Sequence, residues 1–142
     1  MNEDKKTKIL IVEDDAVINK VYAEELRDQG YLVLTAVNGK EGLALALSEK
    51  PDLILLDILM PIMDGSMMME KLRESDLYGK KVPIILLTNL SANEDKIIQA
   101  IVKNEPAYYL VKSDWKLSAV VEKIKERLSR PQEQSQNDVW RS

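Results

Sequence analysis

Short aliphatic runs alternate along this chain with longer stretches whose apolar residues recur three and four positions apart, the two periods of buried strands and amphipathic helices. Lys8 to Val12 reads as a strand, because Ile9-Leu10-Ile11-Val12 is a largely β-branched run that stops at the acids Glu13-Asp14-Asp15. A helix beginning near Asp15 carries Val17, Ile18, Val21, Tyr22 and Leu26 on one stripe and ends before Gly30, a residue suited to the left-handed C-terminus of a helix. Tyr31 to Val37 is less uniformly apolar, which predicts an edge strand. Asn38-Gly39 then turns into a helix reaching about Lys50, closed by Pro51. Leu53-Ile54-Leu55-Leu56 predicts a fully buried strand ending at Asp57, and Asp64-Gly65 breaks the chain before a helix over 66–75.

The alternation continues in the second half. Val82 to Leu87 predicts a fourth strand. Ser91 and Glu94 have the spacing of a capping box, followed by a helix with Ile97, Ile98, Ile101 and Val102 on one face and a stop at Asn104 and Pro106. Ala107 to Val111 predicts the fifth strand, and a last helix from about Asp114 to Leu128 aligns Leu117, Val120, Val121, Ile124 and Leu128. Five strands alternating with five helices over short connections predict an α/β fold, a doubly wound parallel sheet with helices on both faces. The expected organisation is a flexible N-terminus at 1–7, one domain at 8–129, and a tail at 130–142 that is disordered or a truncated linker.

Composition narrows the chemistry. The 142 residues contain no cysteine and no histidine, which excludes disulfides, thiolates, imidazole bases and most transition-metal sites. Carboxylates, amines and hydroxyls remain. The 24 acidic residues outnumber the 20 basic ones, and the basic stretches at 5–8 and 123–130 are interrupted, so no direct nucleic-acid binding is expected. The polar N-terminus is no signal peptide and the apolar runs are strand-sized, so a cytoplasmic protein without membrane insertion is expected.

Four polar residues stand at strand ends: Asp14, Asp57, Thr88 and Lys112, at the first, third, fourth and fifth strands. In a parallel sheet those ends share one edge, where open α/β folds bind ligands. Taken singly, each reads as a helix cap, a loop hydroxyl or a surface amine. Together they suit phosphoryl chemistry. Asp14, Asp15 and Asp57 would repel one another without a hard cation such as Mg²⁺ and a nearby ammonium. Lys112 then neutralises phosphoryl charge, the Thr88 hydroxyl donates to a phosphoryl oxygen, and a carboxylate acts as nucleophile.

From Lys8 to about Leu128 the chain resembles the receiver domains of response regulators. The resemblance rests on Ile-Leu-Ile-Val-Glu-Asp-Asp at 9–15, Asp-Leu-Ile-Leu-Leu-Asp-Ile-Leu-Met-Pro-Ile-Met-Asp-Gly at 52–65, Pro-Ile-Ile-Leu-Leu-Thr at 83–88 and Tyr-Leu-Val-Lys at 109–112. It implies a flavodoxin-like three-layer sandwich with strand order 2-1-3-4-5. It further implies phosphorylation of Asp57, with Mg²⁺ held by Asp14, Asp15, Asp57 and the backbone carbonyl of Leu59. Thr88 and Lys112 are implied at the phosphoryl group, and Tyr109 as the aromatic whose rotamer follows Thr88. The donor would be a sensor histidine kinase or a histidine phosphotransfer protein. The face of the fourth helix, fifth strand and fifth helix would be read either by a separate downstream protein or by an output domain outside these 142 residues, which leave no room for one.

The chain departs from the family pattern at several points. Asn89 follows the threonine where a small residue is usual, Asn104-Glu105-Pro106 replaces a glycine-containing connection, and Ser113 replaces a proline. Asn89 either narrows access to Asp57 or hydrogen-bonds near the phosphoryl group. A cis peptide between Lys112 and Ser113 is expected to persist, aiming the lysine at Asp57. Of the consecutive Met67, Met68 and Met69, at least one is expected on the surface. Leu59 and Leu90 occupy the family's hydrolysis-tuning positions and hold no water, which predicts slow self-dephosphorylation. The competing reading is a weakly switching protein-binding module of receiver fold; a phosphatase is poorly supported, because no second nucleophile or independent general base is apparent.

Overall fold

The computed structural model describes residues 6–89, 99, 102–112 and 115–130. Five parallel strands, β1 (Lys8–Val12), β2 (Leu32–Ala36), β3 (Leu53–Leu56), β4 (Ile84–Thr88) and β5 (Tyr108–Val111), form one sheet in the order β2-β1-β3-β4-β5. Around it lie α1 (Ala16–Asp28), α2 (Gly39–Glu49), α3 (Gly65–Arg73), α4 (Leu77–Lys81) and α5 (Leu117–Leu128). The architecture and strand order are those expected from the sequence.

Period-two alternation divides the core between the two faces of the sheet. Ile9, Ile11, Leu53, Leu55, Ile85, Leu87, Tyr108 and Leu110 pack with Ala23 and Leu26 of α1 and Val120, Val121 and Ile124 of α5. Their neighbours Leu10, Val12, Ile54, Leu56, Ile84 and Leu86 pack with Ala46 of α2 and Met68, Met69 and Leu72 of α3. Three layers result. The methionine triplet resolves as its geometry requires: Met68 and Met69 are buried and Met67 is exposed.

Helix boundaries follow local chemistry. The Asp15 side chain caps α1, and beyond its end Gly30 takes φ +98°, as its sequence position predicts. The short α4 is not foreseeable by periodicity, since five residues around Gly79 span little more than one turn; it is capped by Asp76 Oδ1, which accepts the Gly79 N–H at 2.7 Å. The last helix starts at Leu117, later than the expected Asp114, because Lys116 is still extended at φ −77° and ψ 156°. The capping box at Ser91 and Glu94, the apolar stripe through Ile101, Leu90 and the Lys112–Ser113 peptide all lie outside the described residues.

Arg73, near the C-terminal end of α3, joins three segments at the edge of the sheet away from the strand C-termini. Its Nε donates to the Asn104 carbonyl at 2.9 Å and Nη2 to that of Glu105 at 3.1 Å. Its Nη1 donates to Gly79 at 3.0 Å and Val82 at 2.7 Å. These bonds hold the bend before β5, where Glu105 adopts φ +50°.

Candidate functional site at the carboxyl edge of the sheet

Strand register brings the reactive residues together. Val12 pairs with Leu56 and Leu56 with Leu86, while Thr88 is level with Val111. The first residues past β1, β3 and β5 are therefore Glu13, Asp57 and Lys112, on one edge of the sheet. Asp57 is anchored by its N–H to the Val12 carbonyl at 3.0 Å, and Glu13 by its N–H to that of Ala36 at 3.0 Å.

Lys112 Nζ lies 2.7 Å from Glu13 Oε1 and 3.2 Å from Asp57 Oδ2, with all three side chains largely buried. Burial disfavours the charged Glu13 carboxylate; this cost and the neighbouring Asp57 charge outweigh the lysine and the Asp15 N–H, so its pKa is raised. At Lys112 burial works against the ammonium, but the hydrogen bond to Glu13 and the two carboxylate charges prevail and raise its pKa. The lysine thus stays a cation beside Asp57.

One carboxylate oxygen from each of Glu13, Asp14 and Asp57 lies within 4.8 Å of the others. Such a set of hard oxygen donors, with no thiolate or imidazole in the chain, fits a divalent cation of the Mg²⁺ type. Asp14 belongs to this cluster as expected, but its acidic partner is Glu13 and not Asp15. Asp15 Oδ1 is committed to the α1 N-terminus, accepting the N–H groups of Val17 at 3.0 Å and Ile18 at 3.1 Å. The signal that finds Glu13 is positional. It is the first residue past its strand, just as Asp57 and Lys112 are past theirs.

The other expected residues are placed as follows. Thr88 ends β4, fully buried, and its Oγ1 has no hydrogen-bond partner among the described residues. A buried hydroxyl left unpaired costs about 1–3 kcal/mol. Asn89 is exposed. Tyr109 is half-buried against the α2 and α3 side of the core, opposite Tyr108. Leu59 is half exposed, two residues past Asp57.

Between Asp57 and α3 the chain makes a tight turn. The Met63 N–H donates to the Pro61 carbonyl at 2.8 Å across Ile62, whose φ is +70°. This is a γ-turn in the strained left-handed region, worth of order 1–3 kcal/mol for a non-glycine residue. The turn then closes under the site, where the Gly65 N–H meets the Ile58 carbonyl at 2.9 Å and a Cβ at Gly65 would collide with the Asp57 carbonyl.

The sequence profile of the Response regulator receiver domain matches residues 9–125. The chain belongs to the response-regulator receiver family. Among its relatives, a probable transcriptional regulator, ycf29 of Porphyra purpurea, is 45% identical over 89 residues, covering 63% of this chain and 42% of that protein. The receiver thus spans less than half the length of the curated relatives it matches. A CheY-like receiver domain protein from Methanospirillum hungatei JF-1 superposes with a TM-score of 0.79 at 29% identity, covering 88% of this chain and 95% of that one. The BeF3-activated N-terminal receiver domain of Klebsiella pneumoniae RstA gives 0.74 at 28% identity, covering 87% and 99%. Among the described residues no helix of the receiver is long and apolar enough to cross a membrane.

Proposed function

We propose that the receiver takes a phosphoryl group from a phosphohistidine onto Asp57 and uses it to change a protein-binding face. The observation that carries this reading is the contact of Lys112 Nζ with Asp57 Oδ2 at 3.2 Å, inside a cluster of three carboxylates. Glu13, Asp14 and Asp57 would hold the Mg²⁺, with the Leu59 carbonyl as a further oxygen donor. When bound, the cation supplies electrostatic stabilisation of phosphoryl oxygens and offsets the carboxylate repulsion.

The chain's own groups do the rest. Asp57 is the nucleophile, and Lys112 offsets charge on the transferring group as a compact ammonium. The Thr88 hydroxyl, unpaired among the described residues, is a ready donor to a phosphoryl oxygen, so phosphorylation would give it a partner. Moving Thr88 inward would vacate space beside Tyr109 on β5, biasing the face of β5, α5 and the helix that the sequence predicts after Ser91 toward its downstream partner. The donor would be a sensor histidine kinase or a histidine phosphotransfer protein. Asn89, exposed beside Thr88, is a secondary contact for the phosphoryl group.

Incubation with phosphoramidate and Mg²⁺, read by intact mass, tests the assignment. Wild type is expected to gain one phosphoryl group and Asp57→Asn none. Equal labelling of the two overturns it.

A further inference from the structure

Exposed aliphatic side chains follow the acidic residues closely in the chain. Ile62 is 79% exposed, Val17 72% and Leu59 51%. Leu59 and Ile62 follow Asp57 by two and five residues, and Val17 lies in the first turn of α1 with its N–H on the Asp15 carboxylate at 3.0 Å. Ile62 is the most exposed of the three and also the strained one, a β-branched residue at φ +70° where glycine or asparagine fits more easily. Its side chain is placed neither by core packing nor by backbone preference.

We infer that Ile62 is a specificity-determining residue, an apolar anchor that selects a phosphodonor carried on a folded protein surface over a small hydrated one. The inference rests on Asp57 being the phosphoacceptor. Asp57 is 6% exposed, so a histidine side chain delivering phosphorus to it must bring its own protein surface down onto the flanking residues. In that step the donor's N–P bond breaks as the P–O bond to Asp57 forms, and the electron pair returns to the imidazole nitrogen. A donor surface apolar around its phosphohistidine gains by covering Ile62, Leu59 and Val17. A small phosphoramidate reaches Asp57 without touching Ile62. Burial of one isoleucine suffices for a preference of about tenfold to a hundredfold.

The test compares two donors on wild type, Ile62→Asn, Ile62→Gly, Ile62→Leu and Asp57→Asn. One donor is phosphoramidate with Mg²⁺. The other is whichever of a panel of radiolabelled, autophosphorylated sensor-kinase dimerisation domains labels wild type fastest. Asparagine and glycine relieve the turn, so these variants are expected to fold at least as well as wild type. The expected result is an unchanged rate from phosphoramidate, a tenfold or greater loss from the protein donor in the Asn and Gly variants, and recovery in Ile62→Leu. The inference is overturned if the Asn and Gly variants accept from the protein donor at the wild-type rate. It is equally overturned if both donors slow together, or if no kinase domain labels a wild type that phosphoramidate does label. Failure of phosphoramidate to label wild type, or its labelling of Asp57→Asn, instead removes the phosphoacceptor reading itself.

Discussion

The two ends of α3 are built on opposite terms. At its C-terminal end Arg73 makes hydrogen bonds to the carbonyls of Gly79, Val82, Asn104 and Glu105, so a partly buried cation and four acceptors are satisfied together. At its N-terminal end, one helix length of about 14 Å away, stand a γ-turn strained at Ile62, a half-exposed Leu59 and the Asp57 loop, beside the unpaired Thr88 hydroxyl. The contrast places rigidity at one edge of the sheet and unmet potential at the other. A charge arriving at Asp57 would do its work on the second edge, while the first holds β5 and α4 in register.

The largest expected effect tests the rigid end. Arg73→Met leaves buried carbonyls without donors, so the unfolding free energy from urea titration should fall by about 3 kcal/mol or more. A loss below about 1 kcal/mol would show that the guanidinium bonds are dispensable and would erase the contrast. Next comes the lifetime of the phosphorylated form. Replacing both Leu59→Asn and Leu90→Glu puts water-orienting groups where the family resemblance implies hydrolysis tuning and should speed phosphoryl loss by about 5-fold to 150-fold, followed by intact mass after donor removal. Unchanged decay with intact fold and Mg²⁺ affinity would mean the leucines do not shield the site.

Thr88→Val is expected to be smaller and opposite in sign for stability. It exchanges an unsatisfied hydroxyl for a methyl of similar shape, so unphosphorylated protein should be neutral to about 1 kcal/mol more stable. The variant should also lose the amide shifts that beryllofluoride induces around Tyr109. Destabilisation by more than about 1 kcal/mol would show that Thr88 Oγ1 has a partner after all.

The smallest expected effect lies at the β5 and α5 interface. There the Tyr108 hydroxyl donates to Glu126, and this bond, with the charges of Lys123 and Arg130, holds the Glu126 carboxyl below its ordinary range against a lesser burial cost. A depressed carboxyl pKa adds stability above the unfolded value, about 4.3, and that contribution disappears as pH falls through the lower folded value. The stability gap between wild type and Tyr108→Phe should therefore narrow on acidification. Glu126 is half exposed, so solvent screens the interaction and the change is slight. A gap independent of pH would assign the tyrosine's effect to packing alone.

Most of the fold was legible in the alternation of apolar runs and helical stripes, because each element's period reports its own burial. Asp57, Thr88 and Lys112 were legible too, since a residue at the end of a parallel strand must lie at the ligand edge. Glu13 was passed over in favour of Asp15, because three consecutive acids give no local sign of which one leaves the strand and which caps the helix. Register decided that: Val12 paired with Leu56 puts Glu13 level with Asp57, and the free amides of Val17 and Ile18 claim Asp15.

By itself, then, the sequence determined the architecture, the carboxylate, hydroxyl and amine groups of the edge and the absence of imidazole or thiolate alternatives, all of which follow from local pattern and residue type. Only the tertiary structure decided that Glu13 shares Lys112 with Asp57, that Thr88 is buried unpaired, that Arg73 joins α4 to the bend before β5, and that Ile62 stands exposed in a strained turn. Each of these depends on groups far apart in the chain or on a backbone angle, and neither distance nor dihedral is written in hydrophobic periodicity.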